Sequence, residues 1–160
     1  MQKLNIAIPQ DAVWILNKLN EGGHEAYIVG GCVRDSILGR MPQDWDITTS
    51  ALPEETKTIF DHTFDTGIKH GTITVVLHHE NYEVTTYRID GEYADCRHPD
   101  EVSFTKKLNE DLLRRDFTMN AIAYHPKEGF RDPFHGQEDI AAGMIRGVGK
   151  SHLFSYLRNG

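Results

Sequence analysis

Short apolar runs alternate along the chain with polar segments that contain glycine or proline, and this pattern predicts several short helices and strands. Residues 9–20 place apolar side chains at helical spacing after a proline, and two glycines follow, so a helix is predicted there. The apolar segment 25–31 predicts a buried strand that leads into a glycine turn. Residues 33–39 then predict a two-turn helix that ends at a glycine.

The middle of the chain adds strands that favour a sheet. A strand is predicted at 44–49, and a helix with a proline and two acids in its first turn is predicted at 52–60. GTITVVLHH (71–79) and YEVTTYRI (82–89) are rich in β-branched and aromatic residues. They predict an antiparallel hairpin with the segment HEN between its strands.

The remaining residues mix both kinds of element. Residues 105–126 begin with a helical pattern and end in the strand-like AIAYHP, and residues 130–149 predict a strand, a turn, a helix and a strand. The polar segment 90–101 contains glycine and proline and predicts a loop. Because strands outnumber parallel crossovers, we predict an α/β (α+β) fold, a mixed and largely antiparallel sheet with helices packed on it.

Composition places the chain among globular proteins. Its 160 residues suit one domain, and 39% of them are hydrophobic. No apolar run approaches the roughly 20 residues of a membrane span, and no signal-peptide pattern opens the chain, so we expect a cytoplasmic protein without a membrane partner. Cys32 and Cys96 form no C-x-x-C pair, which favours reduced thiols.

Acidic residues dominate the charge balance, and two of them stand one residue apart. The formal net charge of −7 argues against a simple basic nucleic-acid clamp. It permits an enzyme whose clustered carboxylates hold cations. On a strand, Asp44 and Asp46 would point to the same face and suit Mg²⁺. Taken alone, two solvated acids at a strand entry explain the pattern better.

Glu83 strengthens the metal hypothesis. It lies between apolar neighbours in a predicted strand of the same sheet. A third acid on the same face would complete a site for two cations. The alternative is a glutamate on the solvent side of an amphipathic strand.

A glycine pair precedes the acid pair. Gly30 and Gly31 follow a predicted strand, so their backbone N–H groups can approach an anion, and Arg34 can reach the same anion from the next helix. A simple turn is the alternative interpretation. The acid pair follows within about 15 residues, as a triphosphate bound by the same cations would need.

The segment LLRRDFTMNA presents two arginines and an acid. Exposed i,i+4 pairs, Glu110 with Arg114 and Asp111 with Arg115, would explain them as ordinary helix ion pairs of roughly 0.3–0.5 kcal/mol each. The competing interpretation places a guanidinium on a phosphate or base. In it, Asp116 accepts a hydrogen bond from a ribose hydroxyl.

Four motifs in this order carry a resemblance to one family. GGCVRD (30–35), DWDI (44–47), YEVTTYR (82–88) and LRRDFTMNAIAY (113–124) resemble class II tRNA nucleotidyltransferases, which are CCA-adding enzymes, and bacterial poly(A) polymerases. These belong to the DNA polymerase β-like nucleotidyltransferases. The resemblance covers residues 22–148 and implies that family's catalytic head fold.

The resemblance also implies roles for residues and ligands. It implies catalytic carboxylates at Asp44, Asp46 and Glu83, with Asp44 and Asp46 as ligands of two Mg²⁺ ions. The implied reaction is nucleotidyl transfer from CTP and ATP to the 3′ end of tRNA. The implied nucleotide contacts are Gly30, Gly31, Arg34, Asp35, Arg114, Arg115, Asp116 and Asn120.

Two segments bear on which member of the family this is. DGEYADCRHPDEVSF resembles the flexible loop of enzymes that add the terminal adenosine, with His98 where the family usually has arginine. Residues 1–148 are therefore interpreted as the head domain. Residues 149–160 lack the family's E-D-x-x-R element and are interpreted as a truncated start of the neck. The missing domains are expected to grip tRNA, and the surface they leave exposed could drive self-association.

Three alternatives to CCA addition stay open. A poly(A) polymerase would use the same motifs. A metal-dependent phosphohydrolase would use the acids, but it would leave the glycine pair and the R-R-D element without a role. A fragment that binds nucleotide without turnover is the third alternative.

Overall fold

The computed structural model describes residues 6–90, 102–148 and 155–157. Two single 3₁₀ turns, Ile68–His70 and Thr118–Asn120, accompany five helices and eleven strands in this part of the chain. The helices are α1 Gln10–Glu21, α2 Gly31–Ile37, α3 Pro53–Ile59, α4 Leu108–Leu113 and α5 Gly136–Ala142. The strands are β1 Ala26–Val29, β2 Asp46–Thr49, β3 Thr63–Gly67, β4 Thr72–Leu77, β5 Glu80–Thr86, β6 Arg88–Asp90, β7 Val102–Phe104, β8 Ala123–His125, β9 Gly129–Arg131, β10 Met144–Arg146 and β11 Ser155–Leu157.

Seven of the strands form one sheet in the order β3-β4-β5-β2-β1-β8-β9. Its neighbours pair antiparallel except for β2 and β5, which run parallel. Two-stranded ribbons, β6 with β7 and β10 with β11, complete the described strands. The predicted mixed, largely antiparallel sheet is confirmed.

Apolar side chains pack on both faces of the sheet at β1 and β8, because neighbouring strand residues point to opposite sides. On one face, Ile28 and Ile47 pack with the apolar stripe of α1 in the larger core cluster. On the other face, Tyr27 and Val29 pack with Leu112 of α4 in a second cluster. The central strands are therefore fixed from both sides, which rigidly holds the ends of β1 and β2.

The strand register brings three chain segments to one edge. Val29, the last residue of β1, pairs with Asp46, the first residue of β2. Asp46 also pairs with Glu83 of β5 in the parallel ladder. The chain that leaves β1 enters α2 directly, so the glycine turn lies at this edge as well.

Most element predictions are confirmed, and the differences are local. The predicted strand at 44–49 begins at Asp46, so Asp44 precedes the ladder. In the confirmed hairpin, His78 and His79 form the turn with φ angles of 49° and 67°, and the second strand begins at Glu80 instead of following the segment HEN. Strand β3 was not predicted, because its mostly exposed and polar residues lack an apolar pattern.

The loop predicted at 90–101 lies outside the described residues from position 91 onward. Among the described residues, no helix has the length and apolar character that crossing a membrane requires. The predicted domain boundary at residue 148 stays a prediction.

Candidate functional site

Acidic side chains meet at the edge where β1 ends and β2 begins. Asp46 is half-buried, and its pairing with Glu83 on a parallel neighbour directs both carboxylates to the same face of the sheet. Burial raises the pKa of Asp46 above its usual value, and repulsion from Glu83 and Asp44 raises it further. Attraction from Arg115 opposes this rise in the pKa. Asp46 therefore lies within electrostatic reach of two acids and one arginine.

The three acids differ in exposure. Asp44 and Glu83 are exposed, whereas the neighbouring Trp45 is buried and fixes the chain between the two aspartates. Within the described ranges, no group of three or more His, Cys, Asp or Glu side chains is spaced as a preassembled metal site. The predicted role of these acids as metal ligands stays a prediction.

The glycine turn lies beside the acids. Gly30 has a φ of 85° and a ψ of −142°, a backbone conformation that is strongly unfavourable for residues other than glycine. A Cβ atom at Gly30 would lie 3.5 Å from Nη1 of Arg115. The turn thus needs glycine for its backbone conformation, whereas a Cβ atom would only be in ordinary van der Waals contact with the guanidinium.

Arg34 projects from α2 toward the same region. Its Nη1 donates a hydrogen bond to Oδ1 of Asn120 at 2.8 Å, and its Nε donates to Oδ1 of Asp35 at 3.1 Å. The amide nitrogen of Asn120 donates to Oδ1 of Asp116 at 3.1 Å. This chain of contacts connects the glycine-turn helix to the R-R-D segment, although the two are far apart in sequence.

The R-R-D arginines follow α4 and are mostly buried. Arg114 and Arg115 both contact the buried carboxylate of Asp111, at 3.3 Å and 3.4 Å. Burial lowers the pKa of Arg115, and the neighbouring charge of Arg114 lowers it further, while Asp111 and Asp46 oppose that change in pKa. The Nε atom of Arg115 is buried and has no hydrogen-bond partner among the described residues.

Two adjoining cavities of about 420 Å³ each meet at Gly31 and Asp46. Three arginines line the first cavity, so it suits an anion. Its lining residues are Gly30, Gly31, Arg34, Asp46, Arg114, Arg115, Asp116 and Asn120. The second is lined by Gly31, Cys32, Asp35, Arg40, Met41, Pro42, Gln43, Asp44 and Asp46.

Each of the sequence-predicted nucleotide contacts lines one or the other of these cavities, Asp35 the second and the rest the first. Glu83 lines neither cavity but pairs with Asp46 beside them. Sequence reasoning missed Asp111 as a part of the site and treated it only as an exposed partner of Arg115. Its position between the apolar Leu108 and Leu112 was the available signal of burial.

Comparison with known proteins identifies the family of this chain. The family model described as the poly A polymerase head domain matches residues 26–146, most of the chain. The chain belongs to this family. The predicted family is thereby confirmed, and the matched range contains every predicted site residue.

Two relatives can be aligned with most of this chain. The chain is 56% identical over 140 residues to a CCA-adding enzyme of Listeria monocytogenes, and the match covers 88% of this chain and 36% of the relative. It is 54% identical over 142 residues to a CCA-adding enzyme of Geobacillus thermodenitrificans, covering 89% of this chain and 35% of that relative.

A solved structure shows the same fold. The crystal structure of the Bacillus stearothermophilus CCA-adding enzyme in complex with CTP matches with a TM-score of 0.79 at 49% identity. The match covers 88% of this chain and 33% of that one. The chain thus spans about a third of the length of the relatives it matches.

Proposed function

We propose that this chain is the catalytic head of a CCA-adding nucleotidyltransferase, which transfers nucleotides from CTP and ATP to the 3′-hydroxyl of tRNA. The observation that carries the proposal is the position of Asp46, which stands where two cavities meet, with Glu83 on one side and Arg115 within electrostatic reach. Relatives that share more than half of the aligned residues and bear the name CCA-adding enzyme support it.

In the proposed reaction, the 3′-hydroxyl oxygen of the RNA attacks the α-phosphorus of the nucleotide. The bond between the α-phosphorus and the oxygen that bridges it to the β-phosphorus breaks, pyrophosphate leaves with that oxygen, and the hydroxyl passes its proton to water. Arg34, Arg114 and Arg115 would hold the phosphates in line, because guanidinium groups bind phosphate oxygens through paired N–H donors. Their fixed positive charge would stabilise the charge that develops on the phosphates.

The acids at Asp46 fit a divalent cation. Glu83 and Asp44 repel the Asp46 carboxylate, and a bound cation would remove that repulsion. Carboxylate oxygens are ligands that Mg²⁺ prefers. We propose Asp44 and Asp46 as the ligands of two Mg²⁺ ions, with Glu83 beside them. Bound Mg²⁺ would lower the pKa of the attacking hydroxyl and neutralise the leaving phosphates.

Asp116 and Asn120 would recognise the sugar. Asn120 fixes the Asp116 carboxylate by donating to Oδ1, and the backbone N–H of Phe117 donates to the same oxygen at 2.7 Å. The other carboxylate oxygen, Oδ2, can then accept a hydrogen bond from a ribose hydroxyl. This arrangement would favour ribonucleotides over deoxyribonucleotides.

Incubation of the chain with Mg²⁺, CTP, ATP and a tRNA that ends at its discriminator base tests the proposal. Products resolved at single-nucleotide length should extend by three residues and stop. Calorimetric titration with CTP measures nucleotide binding separately from transfer. The proposal is rejected if the tRNA is not extended and CTP does not bind. CTP binding without any extension would support the non-enzymatic alternative.

A poly(A) polymerase remains the second candidate, because the matching family model is named for that activity. Incubation with ATP alone separates the two activities. Continued extension with ATP would favour polyadenylation, whereas a requirement for CTP before ATP would favour CCA addition. Steady phosphate release from ATP without RNA would instead indicate a phosphohydrolase. A cytoplasmic location stays a prediction.

A further inference from the structure

Asp111 carries a buried carboxylate that the proposed reaction leaves without a role. It lies on α4 with 0% of its surface exposed. Its Oδ1 accepts hydrogen bonds from the backbone N–H of Arg88 at 3.0 Å and from Nε of Arg114 at 3.3 Å. Its Oδ2 accepts from Nη2 of Arg115 at 3.4 Å and from Oγ1 of Thr48 at 3.2 Å, and the same hydroxyl lies 3.3 Å from the backbone oxygen of Thr85.

Such a contact set differs from an exposed helix ion pair. A buried carboxylate is costly unless hydrogen bonds and an opposite charge compensate it, and both are present here. Glu110, the other acid of the expected i,i+4 pairs, accepts from Oγ1 of Thr105 at 2.9 Å. Within the described contacts, Arg114 pairs with Asp111, so the interpretation as two exposed helix pairs is wrong.

Thr48 connects the Asp111 carboxylate to β2, the strand that carries Asp46. It lies on β2 two residues after Asp46 and is fully buried. The contacts from β2 through Thr48 and Asp111 therefore attach Arg115 to the strand that carries Asp46. A substrate that contacts both the Asp46 carboxylate and the Arg115 guanidinium would therefore find the two groups at a fixed distance and orientation.

The guanidinium of Arg115 uses only part of its donor set on Asp111. Its Nη2 donates to Asp111, its Nη1 lies beside Gly30, and its buried Nε has no partner among the described residues. With only 18% of its side chain exposed, Arg115 cannot satisfy these donors fully with bulk water. Arg115 lines the arginine-lined cavity, so its Nη groups can donate to an anion that binds there.

We propose that Asp111 is a positioning residue that holds Arg114 and Arg115 in the orientation that receives the phosphates of the nucleotide. The inference rests on the proposed function, since it assumes a nucleoside triphosphate in this cavity. Asp111 itself contacts the arginines and does not line either cavity. Its effect should therefore reach the ligand only through the orientation of the two guanidinium groups.

Asp111→Asn tests this, because it keeps the shape of the side chain and removes its charge. We expect the affinity for CTP, measured by calorimetry, to fall about tenfold or more, with an equal fall for inorganic tripolyphosphate. Thr48→Val serves as a second variant, which removes one hydrogen-bond donor at nearly constant volume. It should lower the affinity for both ligands roughly threefold.

Asp139→Asn is the matched control. Asp139 is also buried, and it accepts hydrogen bonds from Thr118 and Arg146, but it lines neither cavity. Thermal unfolding should show that both asparagine variants are less stable than the original chain. A merely structural role for Asp111 predicts equal ligand affinities in the folded fractions of the two variants, whereas positioning predicts a loss in Asp111→Asn alone.

Each outcome is informative. Loss of CTP and tripolyphosphate affinity in Asp111→Asn and Thr48→Val, with unchanged affinity in Asp139→Asn, supports the inference. Unchanged affinity in Asp111→Asn, or in Thr48→Val if Asp111→Asn does not fold, overturns it while the proposed function stands. An equal loss in Asp139→Asn also overturns it. Absence of both CTP binding and tRNA extension by the unaltered chain rejects the proposed function itself.

Discussion

Asp46 and Glu83 stand directly opposite each other on β2 and β5, the parallel pair in an otherwise antiparallel seven-stranded sheet. A parallel register places both carboxylates on one face and at the end of the ladder where the glycine turn also lies. Burial raises the pKa of Asp46, and repulsion from Glu83 raises it further. This repulsion is consistent with a site whose geometry is completed by a bound cation.

The raised pKa predicts a cost in stability at neutral pH. Because the folded chain binds the Asp46 proton more tightly than the unfolded chain does, stability falls as pH rises from the ordinary value of 3.8 through the raised pKa. Asp46→Asn should remove this fall and increase the melting temperature at pH 7. The exposed Asp61→Asn serves as the control and should leave the melting temperature unchanged. A lower melting temperature in Asp46→Asn would contradict this prediction.

Gly30→Ala should damage both stability and nucleotide binding. The backbone conformation at Gly30 makes alanine unfavourable by about 1–3 kcal/mol. Gly30 also lines the arginine-lined cavity, so a strained turn there would shift the backbone N–H groups that face the nucleotide. Gly39→Ala is the matched control, because Gly39 also has a positive φ of 78° but its Cβ would meet open space. Denaturation should show destabilisation of both variants, whereas calorimetry with CTP should show a loss for Gly30→Ala alone. Equal CTP affinity in both would argue against a role of the Gly30 turn in nucleotide binding.

The hairpin turn offers a stabilising substitution far from the proposed chemistry. His78 and His79 both adopt positive φ, which costs a residue with a side chain more than it costs glycine. His79→Gly should raise the free energy of unfolding by about 0.5–1 kcal/mol. This is the backbone strain energy that the substitution relieves, less the additional conformational entropy that glycine loses on folding. Urea denaturation measures the change. A less stable variant would show that His79 makes a contact worth more than its strain.

Asn120→Ala should weaken the discrimination between CTP and its 2′-deoxy analogue. The substitution removes the contacts that connect Asn120 to Arg34 and to Asp116. Among the described residues, the backbone N–H of Phe117 would then be the remaining donor to the Asp116 carboxylate. Competition binding with the two nucleotides measures the ratio of affinities. Asn81→Ala, on the exposed side of β5, should keep the original ratio. An unchanged ratio in Asn120→Ala would remove the sugar-recognition role.

The sequence predicted local elements well, because helices such as α1 and the β4–β5 hairpin carry their own apolar periodicity. It also predicted that Asp46 and Glu83 would share a sheet. Their direct pairing could not be predicted from the pattern, because 30 residues separate β2 from β5 and their parallel register depends on tertiary packing.

Asp111 shows the second limit of sequence reasoning. An acid four residues before an arginine has the pattern of a surface ion pair, and nothing in that spacing reveals full burial. Burial follows only after α4 packs on the face of the sheet that carries Tyr27 and Val29. The residues that orient a site are therefore harder to predict than the residues that line it.

Nucleotide incorporation by Asp46→Asn tests the central claim most directly. The original chain and the variant are incubated with Mg²⁺, labelled CTP, ATP and a tRNA lacking CCA, after circular dichroism has established that both are folded. We predict that the original chain extends the tRNA and that Asp46→Asn incorporates no label above background. Incorporation by Asp46→Asn at the rate of the original chain would contradict the account.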